Sequence, residues 1–149
     1  MFYKNNYRSN VANGEMNDRQ PSEQCRRFAE ILKASPGVVN GVCTATLIRN
    51  IKVEILGRPS KSALTLAAMF SFESPDMEGR TLCLGETMIL PEEINPFITE
   101  LRKRQLTITA LHNHWLFEMP RIMFIHWESL EPPLDFAKKV AEAFKVLKC

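Results

Sequence analysis

The stretch Leu106 to Glu128, LTITALHNHWLFEMPRIMFIHWE, decides how this chain reads. It is rich in β-branched and aromatic residues in alternation, which predicts two strands, Leu106–Phe117 and Arg121–Glu128, joined at Glu118-Met119-Pro120. It also holds all 3 histidines of the 149-residue chain, His112, His114 and His126. Random placement would put them in so short a window in about 3% of chains. Alternation sets Leu106, Ile108, Ala110, His112, His114 and Leu116 on one face, with Thr107, Thr109, Asn113 and Trp115 on the other. A three-residue connection would place His126 directly opposite His112, so that all three imidazoles point the same way. Opposed Cβ atoms lie about 4.5–5.5 Å apart, a spacing that suits nitrogens converging on one ion. A slip of one residue would turn His126 to the other face.

Three histidines with an open position point to a divalent metal, zinc first, with iron or manganese as other candidates. Such an ion would activate water or polarise a carbonyl. Glu118, four residues after His114, and Glu86, on a strand end with Leu82 and Leu84, are the candidate fourth ligands or catalytic bases. The His-x-His-x3-Glu spacing is that of the first metal motif of cupins. Arg121 is a candidate for binding a substrate carboxylate or phosphate. The competing reading makes His112 and His114 core residues bonded to backbone, His126 an aromatic-sized filler, and Arg121 a solvated turn residue. Trp115 and Trp127 are expected to share the face opposite the histidines, against a helix or a second subunit.

Working outward, Pro91-Glu92-Glu93 opens a helix to about Arg104. Proline fits the first helical position, the carboxylates favour the positive end of the helix dipole, and Ile94, Phe97, Ile98 and Leu101 form an apolar stripe. Pro132-Pro133 opens a last helix with Phe136, Val140, Phe144 and Leu147 inward. Upstream, a helix over about 22–34 ends at Pro36-Gly37. Strands are expected over Val38–Arg49, with Asn40-Gly41 a turn signal that would move its start to Val42, and over Ile51–Ile55, antiparallel to it. Ser62–Glu73 reads as a strand with a helical alternative, and Thr81–Leu90 as a strand. The order α-β-β-β-β-α-β-β-α predicts an α+β fold: a mainly antiparallel sheet of about six strands with helices packed on it.

Composition narrows the function. At 45% apolar and 24% charged, the chain has the make-up of one domain over residues 21–149, able to fold without a metal or disulfide staple. A net charge of +2 without a concentrated basic face disfavours nucleic acid as a partner. Residues 1–20, with five asparagines, read as a flexible extension on which Phe2, Tyr3 and Tyr7 are the docking candidates. No apolar run reaches the length of a signal-peptide core or a membrane span, which predicts a cytoplasmic protein with no membrane partner. Cys25, Cys43, Cys83 and Cys149 contain no CxxC pair and are expected to be reduced, buried or incidental thiols.

The run Leu90-Pro91-Glu92-Glu93-Ile94-Asn95-Pro96, with Leu101-Arg102, Thr109-Ala110-Leu111-His112-Asn113-His114, Pro120-Arg121 and His126, resembles the LppY/LpqO family, a bacterial domain of unknown function. Ile48-Arg49-Asn50-Ile51-Lys52-Val53 and Met69-Phe70 are weaker echoes. Better-known members are lipoproteins that often carry the domain twice, whereas this chain reads as one copy without a lipoprotein signal. The resemblance implies that Leu111 to His114, Glu118, Pro120-Arg121 and His126 belong to a signature, without naming a reaction.

The expectation is therefore a metal-dependent enzyme, of hydrolase or lyase type, acting on a small oxygen-bearing molecule. The alternative is a non-catalytic module that binds a small ligand or metal, or a partner. Either is compatible with a homodimer formed through a strand edge or the tryptophan face.

Overall fold

A computed structural model describes residues 20–148. The expected extension, with Phe2, Tyr3 and Tyr7, lies outside the described residues, as does Cys149. Ser22 opens the first helix, α1 (Glu23–Ile31), its side chain accepting the Cys25 N–H at 3.1 Å. The helix ends before Pro36-Gly37, which belong instead to a strand, β1 (Ser35–Val39). Asn40 and Gly41 both have positive φ, 52° and 77°, the backbone of a two-residue hairpin turn. The turn signal thus joins β1 to β2 (Val42–Ile48), where a single strand was expected.

The next expected pairing is also corrected. The stretch Ile51–Ile55 does not fold back on β2. The Arg49 guanidinium is buried, donating to both carboxylate oxygens of Glu93 at 2.9 and 2.7 Å and to the carbonyls of Met88 and Lys148. Held there, the chain crosses to the other side of the sheet. Its next strand, β3 (Val53–Ile55), pairs with β4 (Arg58–Ser60) and β8 (Glu118–Met119) in a separate three-stranded sheet.

Ser62–Glu73 holds both of its competing readings in succession: a one-turn helix, α2 (Ala63–Leu66), capped by Ser62, and then β5 (Ala67–Glu73). Strand β6 (Thr81–Ile89) follows as expected, and Pro91–Glu93 forms a 3-10 turn leading into α3 (Ile94–Lys103). The histidine strands are β7 (Thr107–Asn113) and β9 (Met123–Glu131), and α4 (Pro133–Ala143) closes the order. The main sheet runs β1-β2-β5-β6-β9-β7 with every neighbouring pair antiparallel, so the α+β expectation holds.

The helix-covered face carries the main core, in which Phe28, Phe70, Phe97, Trp127 and Phe136 are buried among aliphatic neighbours. Gly85 lies opposite Trp127, and a Cβ there would come within 2.4 Å of the indole. Residues of the other parity face away from the helices. Met88, Phe124, Val53, Leu66, Leu90 and Ile122 build a second, smaller core there, beneath α2 and the three-stranded sheet. Among the described residues, only one end of that outer face is covered.

Candidate functional site

The histidines sit where the covered end of the outer face meets its open part. Strands β7 and β9 pair as Ile108 with Trp127 and then as Ala110 with His126, leaving Thr109 as the extra residue of a β-bulge. The bulge reverses the parity of β7. Leu106 is buried and Ile108 packs against the main core, so neither shares the histidine face as expected, whereas Ala110 and His112 turn outward.

The register is corrected as well. His112 lies opposite Phe124, and His126 opposite Ala110, two residues from the expected pairing. The cause is the connection: residues 114–122 do not make a tight turn, because Glu118 and Met119 are drawn off to pair with β3. A displacement of two preserves the face, so His112 and His126 become diagonal neighbours on the same side. The tryptophans are separated. Trp127 is 1% exposed in the main core, while Trp115 packs against the second core and donates its Nε1–H to the Leu64 carbonyl at 2.9 Å.

His112 Nε2 and His126 Nε2 are 2.8 Å apart, with their rings nearly parallel and centroids 4.9 Å apart. The His114 ring lies 6.0 Å from that of His112 and rests tilted by 38° against Phe124, with centroids 4.0 Å apart. Each imidazole has its Nδ1 against an oxygen acceptor: the Asn113 carbonyl at 2.9 Å for His112, the Leu64 carbonyl at 3.1 Å for His114, and Glu86 Oε2 at 3.1 Å for His126. An N–H on every Nδ1 leaves every Nε2 with a lone pair. Burial lowers the His126 pKa from its ordinary value; Glu86 opposes this shift, while His112 and His114 add to it.

Glu86 faces His126 directly across β6 and β9. Together with Met69, Leu84 and Glu128 they line an open trough of about 340 Å³ on the uncovered part of the sheet, floored by the backbone around Gly85. Glu118 is placed elsewhere. Its side chain is 1% exposed, with Arg121 Nε at 3.2 Å and no bond to a histidine among the described residues, while the Arg121 side chain is 57% exposed. Among the described residues, no group of three or more His, Cys, Asp and Glu side chains stands ready to hold a metal ion. Sequence reasoning missed the Leu64 carbonyl, which takes bonds from both His114 and Trp115. No residue type announces a backbone acceptor.

The thiol expectation is overturned for two residues. Cys25 and Cys43 form a disulfide that ties α1 to β2, and Cys83 is free and buried. No CxxC spacing could reveal that bond, because it depends on how α1 lies on β2. Among the described residues no helix is long and apolar enough to cross a membrane.

A family model described as Domain of Unknown Function (DUF1259) matches residues 26–146. The chain belongs to this family. Its match takes in β1 through α4, the second core, all of the main core but Leu147, and every histidine, and its description carries neither a reaction nor the LppY/LpqO name. No curated protein and no solved structure matches the chain.

Proposed function

We propose that the outer face of this domain binds a divalent metal ion, zinc first, with iron or manganese as other candidates, through Nε2 of His112, His126 and His114. The observation that carries this is the facing pair of Nε2 atoms 2.8 Å apart. With both Nδ1 atoms directed at oxygen acceptors, the two Nε2 atoms need something positive between them, met by a proton on one ring, which makes the contact a hydrogen bond, or by a metal ion that replaces that proton. Oxygen partners on the remote ring nitrogens are also what metal-ligating histidines have. His114, already oriented by the Leu64 carbonyl, is the third ligand.

When bound, such an ion supplies Lewis acidity for activating water or polarising a carbonyl. The protein's own part is orientation and access. Glu86 holds the His126 tautomer and is the candidate base, and the trough these two line admits a small oxygen-bearing substrate; Arg121, paired with Glu118 outside the trough lining, is the candidate for an anionic group that extends beyond it. Hydrolase or lyase chemistry follows from that set. A bond such as Cys25–Cys43 persists in oxidising compartments, which weighs against cytoplasmic residence.

The second reading is a non-catalytic module that binds a small ligand or metal, or a partner, and the lack of a ready three-ligand set among the described residues favours its metal-free form. Metal analysis of tag-free protein after zinc loading tests the proposal. About one equivalent is expected in the wild type, with large losses in His112→Ala and His126→Ala. Equal, negligible metal in all three would overturn it, and metal retention without turnover of ester or phosphate substrates would select the binding module.

A further inference from the structure

The helix side of the sheet holds a larger cavity, independent of the histidines. About 810 Å³ lies between the end of α1, strand β2 and α4 with the 3-10 turn Phe144–Val146. Leu32, Leu47, Phe70, Ala141, Phe144 and Leu147 form apolar walls. Ile48, at the rim, is 49% exposed. The volume falls in the range of pockets that enclose small organic ligands, roughly 300–1,000 Å³.

The charges at its mouth are one-sided. Lys33, Arg49, Lys138, Lys145 and Lys148 line the cavity against a single acid, Glu142. Arg49 is neutralised by Glu93, Lys145 by Glu142, and Lys148 by Glu92. Lys33 and Lys138 form no ion pair among the described residues, and both are exposed. Apolar walls facing water are unfavourable, and an alkyl chain relieves that cost. These two ammonium groups at the entrance, without an ion pair among the described residues, select the sign of the head group attached to it.

We propose that this cavity binds an anionic amphiphile of the single-chain carboxylate class, with its tail against Leu47 and Phe144 and its head at Lys33 and Lys138. Calorimetric titration of the full chain with dodecanoate, below its micelle threshold, is expected to show saturable binding at one site. Dodecylamine and dodecyl maltoside should bind at least tenfold more weakly. Ala141→Phe, which fills the cavity, should abolish the signal. The double variant Lys33→Glu/Lys138→Glu, changed only at exposed positions, should weaken dodecanoate at least tenfold and keeps the test decisive if Ala141→Phe folds poorly. Absence of saturable binding, equal affinity for the cationic or neutral amphiphile, or an unchanged charge-reversed variant would overturn the proposal.

Discussion

The two faces of the main sheet are built from the same strands and do different work. On the helix side, β9 contributes Ile125 and Trp127 to the main core; one residue over, Phe124, His126 and Glu128 face the other way. Interlocked aromatic rings fill the centre of that side: Phe97 meets Trp127 edge-on at 5.4 Å, and Phe28 stacks on Phe136 at 6.2 Å. Among the described residues, the outer face has only its small core at one end, and beyond it polar and titratable groups reach water. Strand alternation thus places packing and candidate chemistry 3.3–3.4 Å apart along the chain, about one residue's rise, so that each can change without the other.

That separation can be broken first where packing is densest. Trp127→Ala should cost about 3–5 kcal/mol of stability, measured by denaturant unfolding. A similar loss, also about 3–5 kcal/mol, is expected for Glu93→Ala, which strands the buried Arg49 guanidinium. Burial alone would raise the Glu93 carboxyl pKa, but hydrogen bonds from Arg49, Leu90 and Lys148 outweigh it and hold the value below the ordinary one. The sign follows from that depression: stability from the ionised pair is present above the unfolded pKa and is lost as pH falls through the lower folded one. Acid unfolding midpoints of wild type and Glu93→Gln should therefore differ, with the variant flatter across that acid window.

Reducing the Cys25–Cys43 bond, which closes a loop of sequence separation 18, should cost about 3 kcal/mol. Its readout is the melting temperature with and without reductant. A smaller loss, about 1–3 kcal/mol, is expected for Gly85→Ala, whose Cβ would press on Trp127.

The outer face should respond differently. Glu86→Gln, at a partly exposed carboxylate, should change stability by no more than about 0.5 kcal/mol. Its zinc affinity should nevertheless fall about 10–100-fold, because the partner that orients His126 is weakened. Competition with a chromogenic chelator measures this. A large stability loss with unchanged affinity would erase the contrast between the faces.

Much of this organisation is legible in the residues. Pro91-Glu92-Glu93 announces α3, the apolar stripe of Phe136 and Val140 announces α4, and Asn40-Gly41 marks a turn, because each signal acts within a few residues. The face shared by His112 and His126 was also legible, since the register departed from expectation by an even number. Their partners were not. Opposite His112 the chain places Phe124, because β8 leaves the hairpin to complete the small sheet with β3.

By itself the sequence determined the α+β class, most of the strands and helices, and the grouping of scarce imidazoles on one hairpin, all consequences of local propensity and periodicity. Only the tertiary structure decided that Arg49 is buried against Glu93, that Cys25 meets Cys43, that Thr109 bulges, and that Leu64 and Glu86 hold the outer nitrogens of His114 and His126. Those contacts join residues far apart along the chain. Their geometry depends on how the sheets and helices pack, and no short-range pattern encodes that.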